Sequence, residues 1–304
     1  MSLGREQELR DLLPRREWRR FTSVNWEHLM PAPSKQLTDV VPDICGGTCA
    51  IHSYSEALTA HLRRYAESND FWVNLPNLIR LAWAKGFQRT TGSSVTAIGR
   101  HFGQLYGIPL EGTIPRDMVG QMMDLSYDED CFVLGTTVAM FDAVPLPFGN
   151  LSATQANRSM DYREHLCDCL DIGPVVLCME LQQHYGCARQ VGEPYRRSNI
   201  PNNRQEKNEF HCVTAYGYEC PDETVGTLRL MYQENMIGAP GEEPQRGLYM
   251  DPDAFDNYYM PNISGMYLSN APAEGYQTVH LSPPRSPSPP PPSSVWERIL
   301  NFFS

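Results

Sequence analysis

The chain has 304 residues, of which 41% are hydrophobic, and a formal net charge of −11 at pH 7. This length allows one large domain or two ordinary ones, and the hydrophobic fraction is sufficient for a sizeable core. The acidic balance argues against a nucleic-acid-binding protein, because general binding to nucleic acids depends on Lys and Arg side chains that neutralise phosphates.

The sequence lacks the marks of an exported or membrane-spanning protein. Residues 1–20 are charged throughout and contain no apolar run of a secretory signal. No stretch of ~18 or more apolar residues follows that could span a bilayer. The nine cysteines are an odd number, and without a signal peptide we expect most of them to be free thiols in a reducing compartment. We therefore expect an intracellular protein of the cytoplasm without a transmembrane segment.

In chain order, a charged leader at residues 1–24 precedes a region at 25–270 that has no linker-like break. In its first half, apolar residues recur with helical spacing, which predicts helices over Ser53–Ala66, Leu75–Lys85 and Val95–Tyr106. In its second half, β-branched and aromatic runs predict strands over Pro174–Leu181, Cys212–Tyr218, Thr227–Gln233 and Leu248–Met250. Helices followed by strands predict an α+β fold, with a helical lobe packed on a strand lobe.

The C-terminal part changes in composition. Residues 271–294 contain the run SPPRSPSPPPPSS, which predicts an extended and solvated linker rich in Pro and Ser. Residues 295–304, VWERILNFFS, place apolar side chains near one face of a short helix. Ten residues are too few for a stable isolated helix, so we expect this segment to dock on its own domain, on a partner, or on a membrane surface.

The segment CGGTCAIHSYSEAL, Cys45–Leu58, contains the first candidate for chemistry. Cys49 stands at the predicted start of an amphipathic helix, where the helix dipole and a nearby imidazolium would favour the thiolate. Two other interpretations stay open at this point. Cys49 could be a buried thiol, or Cys45, Cys49 and His52 could belong to a zinc site, although their spacing is irregular and a fourth ligand is needed. We expect neither a metal nor an organic cofactor.

A nucleophilic cysteine needs a base and a group that orients the base. His211 opens the predicted strand HCVTAYGY, and a strand is a rigid support for a catalytic ring. The next strand leads to Asn235, whose side-chain amide could accept the proton of the far ring nitrogen. The sequence thus suggests Cys49 as nucleophile, His211 as base and Asn235 as the orienting residue.

These motifs resemble those of the papain-like cysteine peptidases. GTCAIHSYSEAL is similar to the active-site helix C-G-S-C-W-A-F-S, HCVTAYGY to the histidine strand H-A-V-x-A-V-G-Y, and the segment from Asn235 to N-S-W-G. Ile172–Leu177 resembles the strand G-P-V-x-V, and Thr91–Ala97 resembles G-G-x-x-x-x-A. The motifs occur in the family's order from about residue 25 to about residue 260.

The resemblance implies a papain-like α+β fold with a cleft between its two lobes, and a cysteine-type endopeptidase that cleaves peptide or protein substrates. It implies a Cys49–His211–Asn235 triad and a substrate groove to which Gly92 contributes. The family's oxyanion-binding Gln corresponds here to Asp43, whose carboxylate has the wrong charge for that role. The alternative is therefore an inactive papain-like domain that acts as a binding protein.

Overall fold

The structure is a computed structural model. It describes residues 22–33, 47–66, 69–89, 91–102, 108–112, 122–123, 137–141, 146–148, 160–182, 185, 193–197, 210–235, 245–261, 266–270 and 277–281.

Within these ranges the chain forms four α-helices and thirteen strands. The helices are α1 Cys49–Ala66, α2 Leu75–Ala84, α3 Val95–His101 and α4 Met160–Ile172. The strands are β1 Val24–Asn25, β2 Phe71–Val73, β3 Ile108–Gly112, β4 Met122–Met123, β5 Thr137–Phe141, β6 Leu146–Phe148, β7 Val175–Glu180, β8 Phe210–Glu219, β9 Arg229–Gln233, β10 Leu248–Met250, β11 Asn257–Met260, β12 Met266–Asn270 and β13 Gln277–Leu281.

The strands form two antiparallel sheets. The larger sheet has the order β10-β9-β8-β7-β11-β6, and β1 also pairs with β8. The smaller sheet has the order β2-β3-β5-β12-β13-β4. The mixed α+β class predicted from the sequence is confirmed, with antiparallel sheets and several helices in the described part of the chain.

The two faces of the larger sheet support two separate cores, because successive side chains of a strand point to opposite faces. On β7 and β8, Val176 and Cys212 belong to the core around α1. Their chain neighbours Val175 and Val213 belong to the core around α4. The larger sheet therefore lies between α1 and α4, and α1 is the helix that packs on the face of Cys212.

Helix α1 is buried along most of its length, and its sequence suits this position. Ile51, Tyr54, Leu58 and Leu62 are 2% exposed or less and pack in the first core. Good helix formers occupy much of the helix, and the basic side chains of its last turn favour the negative end of the helix dipole. One of these, Arg63, donates to the carbonyls of Phe71 and Leu29, so its buried charge is hydrogen-bonded.

Several boundaries differ from the prediction. Strands β2 and β3 lie in the half predicted to be helical, and α4 lies in the half predicted to form strands. Strand β2 has three residues, which is too short for an alternating pattern to be read, and α4 carries many charged side chains among its apolar ones. Strand β13, which pairs with β12, lies within 271–294, the segment predicted as a linker. Residues 1–21 and 282–304, which include most of the leader and the whole C-terminal segment, lie outside the described residues.

The glycine between α4 and β7 is needed for close packing. A Cβ atom on Gly173 would lie 2.4 Å from Cε1 of His61, whose Nε2 donates to the carbonyl of Pro174 at 2.8 Å. We expect Gly173→Ala to lower the free energy of unfolding by about 1–3 kcal/mol, because the buried ring must move. Gly226→Ala is the matched control, since its Cβ would meet Thr224 Oγ1 at an ordinary 3.6 Å. Urea denaturation of both variants checks this, and equal losses would contradict it.

Candidate active site

Cys49 is the first residue of α1, and its position follows from the local sequence. Gly47, two residues earlier, has φ of +72°, a conformation that favours glycine. The carbonyl of Thr48 accepts the first helical hydrogen bond, from the backbone N–H of His52 at 3.0 Å. The Cys49 side chain is 9% exposed and lies at the positive end of the helix dipole.

His211 and a carboxylate are brought together by the pairing of two strands. In the register of β8 and β9, Thr214 is opposite Gln233, so the beginning of β8 lies beside the end of β9. Nε2 of His211 is 2.7 Å from Oε1 of Glu234, and both side chains are almost completely buried. The hydroxyl of Tyr185 donates to the other oxygen of Glu234. Both carboxylate oxygens therefore have a hydrogen-bonding partner, which holds the group in one orientation.

The imidazole of His211 also contacts the Cys49 thiol. Since Glu234 occupies Nε2, the nitrogen left for the thiol is Nδ1. Burial by itself lowers the pKa of His211, but the charge of Glu234 and the hydrogen bonds to Cys49 and Glu234 outweigh it and raise that pKa to about 10. At neutral pH the ring is therefore an imidazolium that links the thiol to the carboxylate.

The thiol of Cys49 is held in its neutral form. A hydrogen bond with the Cys212 thiol and burial both raise the pKa of Cys49 well above its ordinary value, against the lowering effect of His211. The sequence predicted a thiolate favoured by the helix dipole and an imidazolium. The imidazolium is present, but the packing of a second thiol against Cys49 could not be read from local sequence.

The group on Nε2 of His211 is Glu234, whereas Asn235, which the sequence predicted to orient the ring, has other partners. The side-chain amide of Asn235 donates to Ser53 Oγ at 2.9 Å and to the carbonyl of Cys212 at 3.2 Å, and approaches the carbonyl of Cys49 at 3.5 Å. It thus connects the first turns of α1 to β8. The run Gln-Glu-Asn places three polar side chains in a row, and the sequence prediction named Asn235 rather than Glu234.

The remaining predicted residues divide between the site and the undescribed segments. Gly92, with φ of +114°, lies close to the carbonyl of Gly47, which also accepts from Gln88 Nε2 at 3.2 Å. Gly92 is thus near the start of α1, and its contribution to a substrate groove stays a prediction. Asp43, the predicted oxyanion-site residue, and Cys45 lie outside the described residues.

The zinc alternative has no support among the described residues. Burial lowers the pKa of His52 to about 3, so its ring is neutral in the core of the protein. Among the residues that the structure describes, no group of three or more His, Cys, Asp and Glu side chains is arranged to hold a metal ion.

A second buried carboxyl group lies on α1 close to the site. Burial, together with the like charge of Glu234, raises the pKa of Glu56 to about 7. Thr214 Oγ1 is 2.7 Å from Glu56 Oε2 and 3.1 Å from the carbonyl of Ser53. Thr214 is the donor in both contacts, and its hydrogen bond to Glu56 opposes the rise in the pKa of that carboxyl group. Burial is therefore the dominant effect on Glu56.

A cavity of about 430 Å³ lies along the middle and C-terminal part of α1. Ser55, Glu56, Arg63 and Trp72 are among its lining residues, whereas Cys49, His211 and Glu234 are not. It is therefore not a binding site for the group on which Cys49 would act.

Comparisons with known proteins identify no family for this chain. A scan against protein-family models finds no match, and a search of curated proteins finds no relative. In the part of the chain that the structure describes, none of the helices is long and apolar enough to cross a bilayer.

Proposed function

We propose that the protein is a papain-like cysteine peptidase in which Cys49, His211 and Glu234 form the catalytic triad. The proposal includes the two-lobe papain-like arrangement and a peptide or protein substrate. The observation that carries it is the buried His211–Glu234 pair, 2.7 Å apart, with the Cys49 thiol on the other nitrogen of the imidazole. This is the order of nucleophile, base and orienting group that covalent catalysis requires.

Each residue has a defined task in this reaction. The sulfur of Cys49 attacks the carbonyl carbon of the peptide, and His211 protonates the leaving amine. Water then attacks the thioester, with His211 as the general base. The backbone N–H of Cys49, at the start of α1, has no partner within the helix and can donate to the oxyanion. Glu234 keeps the ring oriented and stabilises its positive charge.

The protonation states of Cys49 and His211 indicate the pH range in which this site reacts. At neutral pH the pair consists of a neutral thiol and an imidazolium, and the thiolate–imidazolium form contains one proton fewer. The reactive form is therefore reached by the loss of one proton from the coupled pair. Since the pKa of His211 is raised to about 10, we expect the rate to rise on the alkaline side of neutrality.

The test uses the full chain and two readouts between about pH 7 and pH 10. Hydrolysis of a mixture of fluorogenic peptides measures the activity, and a peptidyl epoxide located by mass spectrometry measures labelling of the nucleophile. We expect both to rise with pH and to be lost in Cys49→Ala. Cys169→Ala is the matched control, because Cys169 is fully buried in the other core, and it should retain both. Hydrolysis that survives Cys49→Ala would reject the proposal.

The second candidate function is that of an inactive papain-like domain that binds a partner. It is supported by the raised pKa of Cys49 and by the burial of His211, which is 1% exposed. In the same experiment this candidate predicts neither hydrolysis nor labelling of Cys49 at any pH, in a protein whose unfolding transition is intact.

A further inference from the structure

Two cysteine thiols face each other beside the candidate active site. Cys178 on β7 and Cys212 on β8 are directly opposite partners in the antiparallel pair. Their sulfur atoms are 3.1 Å apart, and both residues are free thiols. Together with Cys49 they belong to one packed cluster, in which Cys178 is partly exposed and Cys212 is buried.

The geometry of this pair suits a covalent bond. Directly opposite residues of antiparallel strands have Cα atoms ~4.5–5.5 Å apart. This is within the ~4.4–6.8 Å range in which disulfides form. The sulfur atoms would need to approach each other by only about 1 Å to reach bonding distance. No movement of the strands is therefore required.

The same thiol of Cys212 also contacts the candidate nucleophile. Cys49 and Cys212 pack in one cluster, the Cys212 thiol raises the pKa of Cys49, and Cys212 is the chain neighbour of His211. A sulfur atom in a disulfide carries no proton and cannot exchange one with a neighbouring thiol. Oxidation of the Cys212 sulfur therefore changes the surroundings of the Cys49 thiol.

We propose that Cys178 and Cys212 form a reversible disulfide, and that this bond releases Cys49 from the Cys212 thiol and makes it more reactive. An effect on peptide hydrolysis rests on the function proposed above. The formation of the disulfide and the change in the reactivity of Cys49 do not rest on it.

The oxidant is a peroxide, and the reaction balances with hydrogen peroxide. The thiol of Cys178, the more accessible of the two, loses its proton, and its sulfur attacks one peroxide oxygen and becomes a sulfenic acid; the O–O bond breaks, and the hydroxide that leaves takes up the proton from the thiol to form water. The sulfur of Cys212 then attacks that sulfenic sulfur, and a second water leaves. Two thiols and one peroxide thus yield one disulfide and two waters, the two electrons passing from sulfur to the peroxide. A dithiol reductant reverses the bond by thiol exchange.

The experiment treats the reduced full chain with hydrogen peroxide, alkylates the remaining thiols and maps disulfide-linked peptides by mass spectrometry without reduction. We expect a Cys178–Cys212 link that dithiothreitol removes. In the oxidised protein we expect the pH at which Cys49 is half-alkylated to fall by about one unit. At a fixed pH below that point, this shift corresponds to alkylation of Cys49 that is about tenfold faster. Cys212→Ala should give the same shift without oxidant, since it removes the same thiol.

The controls separate this proposal from the peptidase proposal. Cys178→Ala, with Cys178→Ser as a second variant if alanine impairs folding, should show neither the link nor the shift, and Cys169→Ala should show both. The absence of a Cys178–Cys212 link, or a link between Cys49 and Cys212 in its place, would overturn the proposal. A Cys178–Cys212 link that leaves the alkylation of Cys49 unchanged would overturn the part concerning its release. None of these readouts requires peptide hydrolysis, so they test the disulfide proposal even if the protein has no peptidase activity.

Discussion

Replacing Glu234 by glutamine should lower the rate of peptide hydrolysis by ~10²–10⁴-fold, the range known for loss of the orienting carboxylate in an acyl-transfer triad. The neutral amide retains the shape of the side chain but removes the charge that faces Nε2 of His211 at 2.7 Å. Without that charge, burial dominates and the pKa of His211 falls well below about 10. The imidazolium that pairs with a thiolate is then lost, and the alkylation of Cys49 should slow near neutral pH.

The matched comparison is Asn235→Ala, measured in the same hydrolysis and alkylation assays at equal amounts of folded protein. Asn235 connects α1 to β8 through Ser53 and Cys212, so its loss should lower stability by about 1–3 kcal/mol and affect the rate less than Glu234→Gln. If Asn235→Ala instead removes activity while Glu234→Gln retains it, the orienting group is the asparagine.

Replacing His211 by alanine should lower the free energy of unfolding by about 3–5 kcal/mol, since the variant leaves the Glu234 carboxylate buried without a cation. Glu234 has 0% side-chain exposure, so its carboxylate is shielded from bulk water. The double variant His211→Ala with Glu234→Gln should recover part of this loss, because it removes the buried charge. Urea denaturation of the two single variants and the double variant gives the coupling energy directly.

The loss of unfolding free energy in His211→Ala should also depend on pH. The pKa of His211 is raised from its ordinary 6.5 to about 10 in the folded protein. A raised pKa contributes stability that is fully present below the unfolded value of 6.5 and is lost as the pH rises through about 10. The His211→Ala penalty should therefore be larger at about pH 6 than at about pH 10. A penalty that is equal at both pH values would show that the histidine does not carry the proton.

Much of the fold could be read from periodicity. The predicted helix over Ser53–Ala66 lies within α1, and the predicted strand at Thr227–Gln233 contains β9. These elements have clear apolar spacing because each is buried on a defined face. Strand β2 escaped prediction because it has three residues and depends on a partner distant in the chain, β3, rather than on a pattern of its own. The pairing of β12 with β5 likewise joins residues more than a hundred positions apart.

The candidate site likewise has features that could be predicted from the sequence and features that only the tertiary structure shows. By itself, the sequence determined that Cys49 begins a buried helix and that His211 begins a central strand, since both follow from local residue patterns. Only the tertiary structure decided that Glu234, rather than Asn235, meets the imidazole, because strand register and side-chain direction select between adjacent residues. It also decided that Cys212 contacts Cys49 and keeps it neutral. The first outcome depends on how β8 pairs with β9 and the second on how α1 packs against β8, and no local pattern in the chain records either.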